Sequence, residues 1–199
     1  MNTDGERGHY LVLHNDVDLY SFRVVATGWG MEQVEVEDHR EKDGSYEEVW
    51  LAPDGSQKLT WIEVPRVFGR FLWYGGTNAE DTVAILTHAL HCETAEQIRH
   101  RLSQPDLIHD DLVTLLHLAA YVTPRVTTEV LTAFRRALED PRRGVRFSAV
   151  RGYAIRRWPE LLAAIERLAE DEPEPDIKEF AEKVVEVARE EEAAEGRAK

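Results

Sequence analysis

The segment HALHCE contains the residues with the most direct chemical potential. On a helix, His88, His91 and Cys92 stand at i, i+3 and i+4, a spacing that can present two imidazoles and a thiolate to one metal ion. A closed zinc site needs four ligands, and no Cys-x-x-Cys or second histidine pair lies nearby, although Glu93 and His100 are close. Cys92 as a nucleophile has a histidine base but no orienting residue and no glycine-rich oxyanion loop. The sequence therefore favours helix-end histidines and a small buried thiol, with no metal, no cofactor and no catalytic group.

Residues 141–159 form a second candidate site, because they hold six arginines and no acid in a chain of formal net charge −14. A nucleic-acid-binding helix needs its cations on one exposed face. On a helical wheel Arg146 and Arg157 fall together, whereas Arg151 and Arg156 point elsewhere, so no basic stripe forms. This scatter favours pairing with flanking acids over contact with phosphates. Arg143, Arg151 and Arg156 are the candidates for a patch that binds a protein partner.

Aromatic residues supply a third candidate surface. Most of those in the later strand-like segments are expected in a sheet core: Trp50, Trp61, Phe68, Phe71, Trp73 and Tyr74. Trp29 lies between two glycines and is the aromatic residue expected to be exposed, where it could anchor a partner. The glycines near residue 75 match neither a P-loop nor a dinucleotide-binding motif, so phosphate binding is not predicted.

The elements that position these residues differ between the two halves of the chain. Residues 1–78 are rich in β-formers and turn signals, which predicts a β-rich domain of four or five antiparallel strands. One strand is expected in LYSFRVVATGW, and a hairpin closed by Asp54-Gly55 is expected in EEVWLAPDGSQKLTWIEV.

From Ala79 the apolar period becomes helical, with candidate helices at 79–91, 94–103, 109–122, 126–139, 143–157, 159–170 and 176–191. Thr94 and Gln97 form a capping box, and residues 192–199 form a charged tail. The sequence therefore predicts an α+β fold, an N-terminal antiparallel sheet followed by helices.

The helical half repeats at a separation of 32 residues. DDLVTLLHLAAYV, RRGVRFSAVRGYA and EPDIKEFAEKVVEVA align with Val113, Val145 and Ile177 in register. LTAFRRALEDPRRGVRFSAVRGYA and LLAAIERLAEDEPEPDIKEFAEKVV resemble HEAT repeats of the short bacterial kind, over about residues 93–191. The resemblance implies an α-solenoid at 79–191 in which inter-helix acids pair with the basic residue after the aliphatic one, a structural ladder of Asp140, Arg146, Asp171 and Lys178. The first of the three repeats departs from this pattern, because His117 stands where the family has alanine.

Composition narrows the function. The single cysteine, the absence of a signal-like start and the lack of a long apolar run predict a cytoplasmic, bacterial-type protein with no membrane span. A strongly acidic surface repels nucleic acid and attracts basic partners, or else serves solubility. We therefore expect a non-enzymatic protein–protein interaction module: an adaptor, a regulator or an immunity protein against a basic nuclease-type toxin.

The alternatives are a small-molecule or cofactor-binding protein that uses the cleft between sheet and helices, and a DNA-binding glycosylase. HEAT-like arrays include both tetrapyrrole lyases and glycosylases, so the resemblance keeps the two alternatives open.

Overall fold

The structure is a computed structural model that describes residues 8–65 and 69–197, with side chains to residue 194. The chain forms two compact units, and the boundary between them in the sequence falls between Ile98 and Arg99. The first contains a six-stranded antiparallel sheet and the second is helical, so the predicted α+β class is confirmed. Among the described residues, no helix combines the length and the apolar character needed to cross a bilayer.

The sheet has one strand more than the upper limit predicted. Its strands are β1 (His9–Leu13), β2 (Glu32–His39), β3 (Ser45–Leu51), β4 (Gln57–Val64), β5 (Gly69–Gly76) and β6 (Cys92–Thr94), in the spatial order β2-β3-β4-β5-β1-β6. The additional strand, β6, follows the predicted boundary at residue 78 and pairs with β1. The hairpin between β3 and β4 is confirmed, and Gly55 in its turn adopts a φ of 70° that favours glycine.

The segment LYSFRVVATGW is a helix, so the predicted strand is wrong. Helix α1 (Leu19–Gly28) begins after Asp18, whose carboxylate accepts a hydrogen bond of 2.8 Å from the backbone N–H of Ser21. Phe22 and Ala26, one turn apart, are its buried residues, and the Phe22 ring packs against Trp61 with centroids 5.5 Å apart. Burial of this one face against the sheet outweighs the β-propensity of the segment.

Most of the strand aromatics are core residues, as expected. Trp61, Phe71 and Tyr74 have no exposed surface, and Trp50 and Trp73 are also buried. Phe68 lies outside the described residues. Helix α2 (Ala79–Ala89) belongs to the first unit, where Leu86 is a core residue, and α3 (Ala95–Leu102) spans the boundary between the units.

The capping box before α3 is confirmed. Thr94 N–H donates to Gln97 Oε1 at 2.7 Å, and Gln97 N–H donates to Thr94 Oγ1 at 3.2 Å. These reciprocal bonds satisfy two of the backbone donors at the beginning of the helix.

The second unit continues with five helices: α4 (His109–Val122), α5 (Thr128–Leu138), α6 (Arg143–Arg156), α7 (Pro159–Asp171) and α8 (Pro175–Arg197). Helix α6 packs against both α4 and α8, while α5 packs against α7, so successive helices alternate between two layers. The positions that define the 32-residue register in the second and third repeats are fully buried: Val145, Ala149, Ile177 and Ala181. Helix α8 extends to Arg197, so the tail predicted from residue 192 is helical that far.

Candidate functional site

The structure does not assemble the metal or nucleophile site that HALHCE suggested. Helix α2 ends at Ala89, and His91 has a φ of 44°, so the helical spacing assumed for His88, His91 and Cys92 is wrong. His88 is exposed, while His91 Nδ1 lies 3.3 Å from Asp16 Oδ2. Within the described ranges, no group of three or more histidine, cysteine or acidic residues is placed to hold a metal ion.

Cys92 is a core residue of β6. Its thiol is buried and donates to the carbonyl oxygen of Leu86 across 3.6 Å. Burial raises the pKa of Cys92 to about 11. Because the thiolate is the nucleophile, this thiol is unreactive near neutral pH.

The arginines proposed for partner binding make contacts within the second unit. The Arg143 guanidinium pairs with Asp176, and its Nε lies 3.7 Å from Glu174 Oε2. Arg156 donates to two backbone carbonyls in the last turn of α4, with Nε 2.9 Å from the oxygen of Ala120 and Nη2 bonded to that of Tyr121. A cation there satisfies acceptors that the helix leaves unpaired and opposes the helix dipole.

Arg151 and Trp29 are also placed against their own units. The Arg151 guanidinium carbon lies 5.9 Å from the centroid of the Phe147 ring, and its charge acts on the buried His117. Trp29 follows the end of α1, is half-buried and packs against the core of the first unit.

Among the ion pairs that the structure describes in the helical unit, the one between Arg146 and Glu172 is the most buried. Nε lies 2.8 Å from Oε2 and Nη2 lies 2.7 Å from Oε1, while Nη1 donates to the carbonyl oxygen of Asp140 at 3.0 Å. The Glu172 side chain has no exposed surface, and its hydrogen bonds with Arg146 hold its pKa below the ordinary value. This bidentate pair joins α6 to the end of α7.

The other predicted ladder residues are placed differently. The Asp140 carboxylate binds Arg142, with Oδ1 2.9 Å from Nε and Oδ2 2.8 Å from Nη2. Asp171 is exposed as the last residue of α7. Lys178 Nζ donates to the carbonyl oxygen of Glu170 at 3.1 Å, so it contacts α7, the helix before its own.

Sequence reasoning missed a buried carboxylate in the first unit. Glu48 has no exposed surface, and it accepts bonds of 2.6 Å from Arg23 Nη2, 2.6 Å from Tyr46 Oη and 2.7 Å from Trp50 Nε1. Burial alone would raise the pKa of Glu48, but these bonds together hold it below its ordinary value. The cluster holds α1 against β3. The alternation of Tyr46, Glu48 and Trp50, which places the three side chains on one face of the strand, is the sequence signal that indicates this cluster.

An open groove of 790 Å³ runs between α7 and α8. Its charged lining residues are Glu166, Glu170, Glu182, Glu186, Arg189 and Glu190. The apolar residues between them are Ala169, Val185 and Ala193. This groove combines small side chains with carboxylates from two helices, and the sequence analysis did not single it out as a site.

No protein-family model, curated protein or solved structure matches this chain. Its function is therefore inferred from its own residues.

Proposed function

We propose that this protein is a non-enzymatic binding protein whose second unit holds a basic helical segment of a partner protein in the groove between α7 and α8. The proposal rests on one observation. The carboxylates of the groove that form no ion pair with a described side chain lie beside its apolar residues, Ala169, Val185 and Ala193. Such a protein would act as an adaptor, a regulator or an immunity-type inhibitor.

The acidic residues of the groove follow helical spacing. Glu182, Glu186 and Glu190 lie at i, i+4 and i+8 on α8, so neighbouring members are about 6 Å apart along the helix. Glu170 faces them from α7. None of these four is in an ion pair with a side chain that the structure describes, and Arg189 is engaged with Glu166 at 2.9 Å. The groove therefore keeps most of its negative charge for a ligand.

The apolar residues of the groove favour a helix as the ligand. Ala169, Val185 and Ala193 are small, so the backbone of a partner helix can approach closely between the glutamates of α7 and those of α8. A partner helix with apolar residues toward these three and Lys or Arg at i and i+4 would match the spacing of the glutamates. Residues 160–199 carry a net charge of −8, which would steer a basic partner toward this end of the chain.

The proposal includes a HEAT-like organisation of the helical unit. Two features support it. The helices alternate between two layers, and Arg146 and Lys178 each donate to a backbone carbonyl near the end of the preceding helix, Arg146 to Asp140 just after α5 and Lys178 to Glu170 in α7. Arg143, Arg151 and Arg156 are not part of the binding surface in this proposal, because each makes contacts inside the helical unit.

The test compares two triple variants of equal charge. In the first, Glu182, Glu186 and Glu190 are replaced by Gln. In the matched control, the exposed acids Glu41, Glu96 and Asp106 are replaced by the corresponding amides, which changes the net charge by the same amount. The probe is a fluorescein-labelled amphipathic peptide with Lys at i, i+4 and i+8 and Leu on the adjoining face, titrated by anisotropy at low and high salt.

The groove variant should bind the peptide about tenfold more weakly than wild type, because three exposed ion pairs contribute about 1–2 kcal/mol together. The control should bind as wild type does at each salt concentration. Equal losses in the two variants would mean that net charge alone attracts the peptide, and would overturn the proposal.

A further inference from the structure

The second unit contains a separate pocket of 410 Å³ between α5 and the segment that joins α3 to α4. This volume lies within the range of small-molecule sites. Apolar side chains from both sides line it, namely Leu102, Leu107, Leu112, Ala133 and Ala137. The pocket therefore offers an apolar surface that a small ligand could bury.

The charges on the pocket wall leave one cation available. Arg136 lines the pocket, is exposed, and has no ion pair or side-chain hydrogen bond with the described residues. The nearby Asp140 does not neutralise it, because both oxygens of that carboxylate bind Arg142. The other acid of the wall, Glu129, accepts a hydrogen bond from the Thr127 side chain and lies seven residues before Arg136, about 10 Å away along α5.

Helix geometry places this cation beside the apolar surface. Ala133 and Ala137 lie one turn apart on one face of α5, and Arg136 lies at the edge of that face, at i+3 from Ala133 and i+4 from Thr132. The small side chains leave the space, while the guanidinium stands at its edge. Its fork of N–H donors suits a planar carboxylate, which it can bind through two parallel hydrogen bonds.

We propose that this pocket binds a small amphiphilic carboxylate, with the apolar body against Leu102, Leu112 and Ala133 and the carboxylate on Arg136. The proposal does not depend on the groove between α7 and α8, since no residue lines both cavities. A neutral or cationic head group would leave the guanidinium without a counter-ion, so the pocket discriminates by charge as well as by shape.

The test uses three ten-carbon probes that differ in the head group: decanoate, decan-1-ol and decyltrimethylammonium. Binding to the whole protein is measured by calorimetry and by methyl chemical-shift changes at Leu102, Leu112 and Ala133. The variants are Arg136→Gln, Arg136→Lys and Ala133→Phe, the last of which fills the pocket. Arg167→Gln is the matched control, because Arg167 is exposed and donates to the Ala163 carbonyl of its own helix.

Decanoate should bind wild type and Arg167→Gln equally, and Arg136→Gln about tenfold more weakly, because a charge-assisted pair is lost. Arg136→Lys should fall between them, and Ala133→Phe should abolish binding. Decanol and the ammonium probe should bind at least about tenfold more weakly than decanoate. The proposal is overturned if decanoate does not shift the pocket methyl signals, if it binds Ala133→Phe as it binds wild type, or if the alcohol binds as tightly as the carboxylate.

Discussion

Acidification should destabilise the helical unit through His117, a histidine on α4. This side chain is 4% exposed, and its Nε2 atom is buried without a hydrogen-bond partner among the described residues. Burial lowers the pKa of His117 to about 4, and the positive charge of Arg151 adds to the shift. The native state therefore holds this imidazole neutral at a pH where the unfolded chain protonates it.

The size of the effect follows from the two pKa values. The unfolded imidazole has a pKa of about 6.5, so below that value the unfolded state binds the additional proton. The stability that comes from a neutral His117 is complete above pH 6.5 and is lost as the pH falls toward 4. The loss should reach about 2 kcal/mol at pH 5 and about 3 kcal/mol below pH 4.

The assay is urea unfolding followed by circular dichroism at 222 nm, a signal dominated by the helices. Wild type and His117→Leu are measured at pH 7.5 and pH 5, and the quantity compared is the change in the free energy of unfolding between the two pH values. The other titrating groups are common to both proteins and cancel in the difference. Wild type should lose about 2 kcal/mol more than the variant; parallel losses would refute the assignment of a low pKa to His117.

Two substitutions test the packing of the two units separately, each by urea unfolding. Arg23→Met removes the cation from the fully buried carboxylate of Glu48 and should cost about 2–3 kcal/mol of stability, somewhat reduced because solvent reaches the guanidinium. A variant as stable as wild type would mean that the carboxylate does not need this cation. Gly152→Ala would place a Cβ 2.8 Å from two ring carbons of Phe134 and should cost about 1–3 kcal/mol despite the better helix propensity of alanine. Gly28→Ala is the control, because nothing lies within 4 Å of its Cβ, and it should unfold at the wild-type urea concentration or above.

The parts of the fold with strong local signals could be predicted from the sequence. The helix predicted at 109–122 has those bounds in the structure, and the proline at 159 marks the beginning of α7. The capping box at Thr94 and Gln97 also needs no information beyond four consecutive residues. Each of these signals acts within one turn of chain, which is why the sequence reports it.

The errors fall where distant residues decide the local structure. The β-branched residues of α1 match a strand, and burial of Phe22 and Ala26 against the sheet decides for a helix. The three-residue strand β6 exists because it pairs with β1, some 80 residues earlier in the chain. Pairing partners of this kind leave no periodic pattern in so short a segment.

The candidate sites show the same limit. The acidic run from Glu170 to Glu174 offers several partners for Arg146, and the extended backbone of Glu172 after α7 is what turns that residue inward. In the same way, the glutamates of α7 and α8 lie at helical spacing in the sequence, yet which of them face each other depends on how the helices pack.

Strand β2 also affects the colloidal behaviour of the protein. It is an edge strand of the sheet, pairs only with β3 in the described part of the chain, and is exposed along its whole length. An open edge can add a strand from another copy, and the valines Val34 and Val36 would favour this. The carboxylates of Glu32, Glu35 and Glu37 oppose it, because a second copy would bring like charges together. The negative charge of this strand therefore works as a barrier to self-association, and concentrated salt or acid lowers that barrier while the hydrogen-bonding edge stays available.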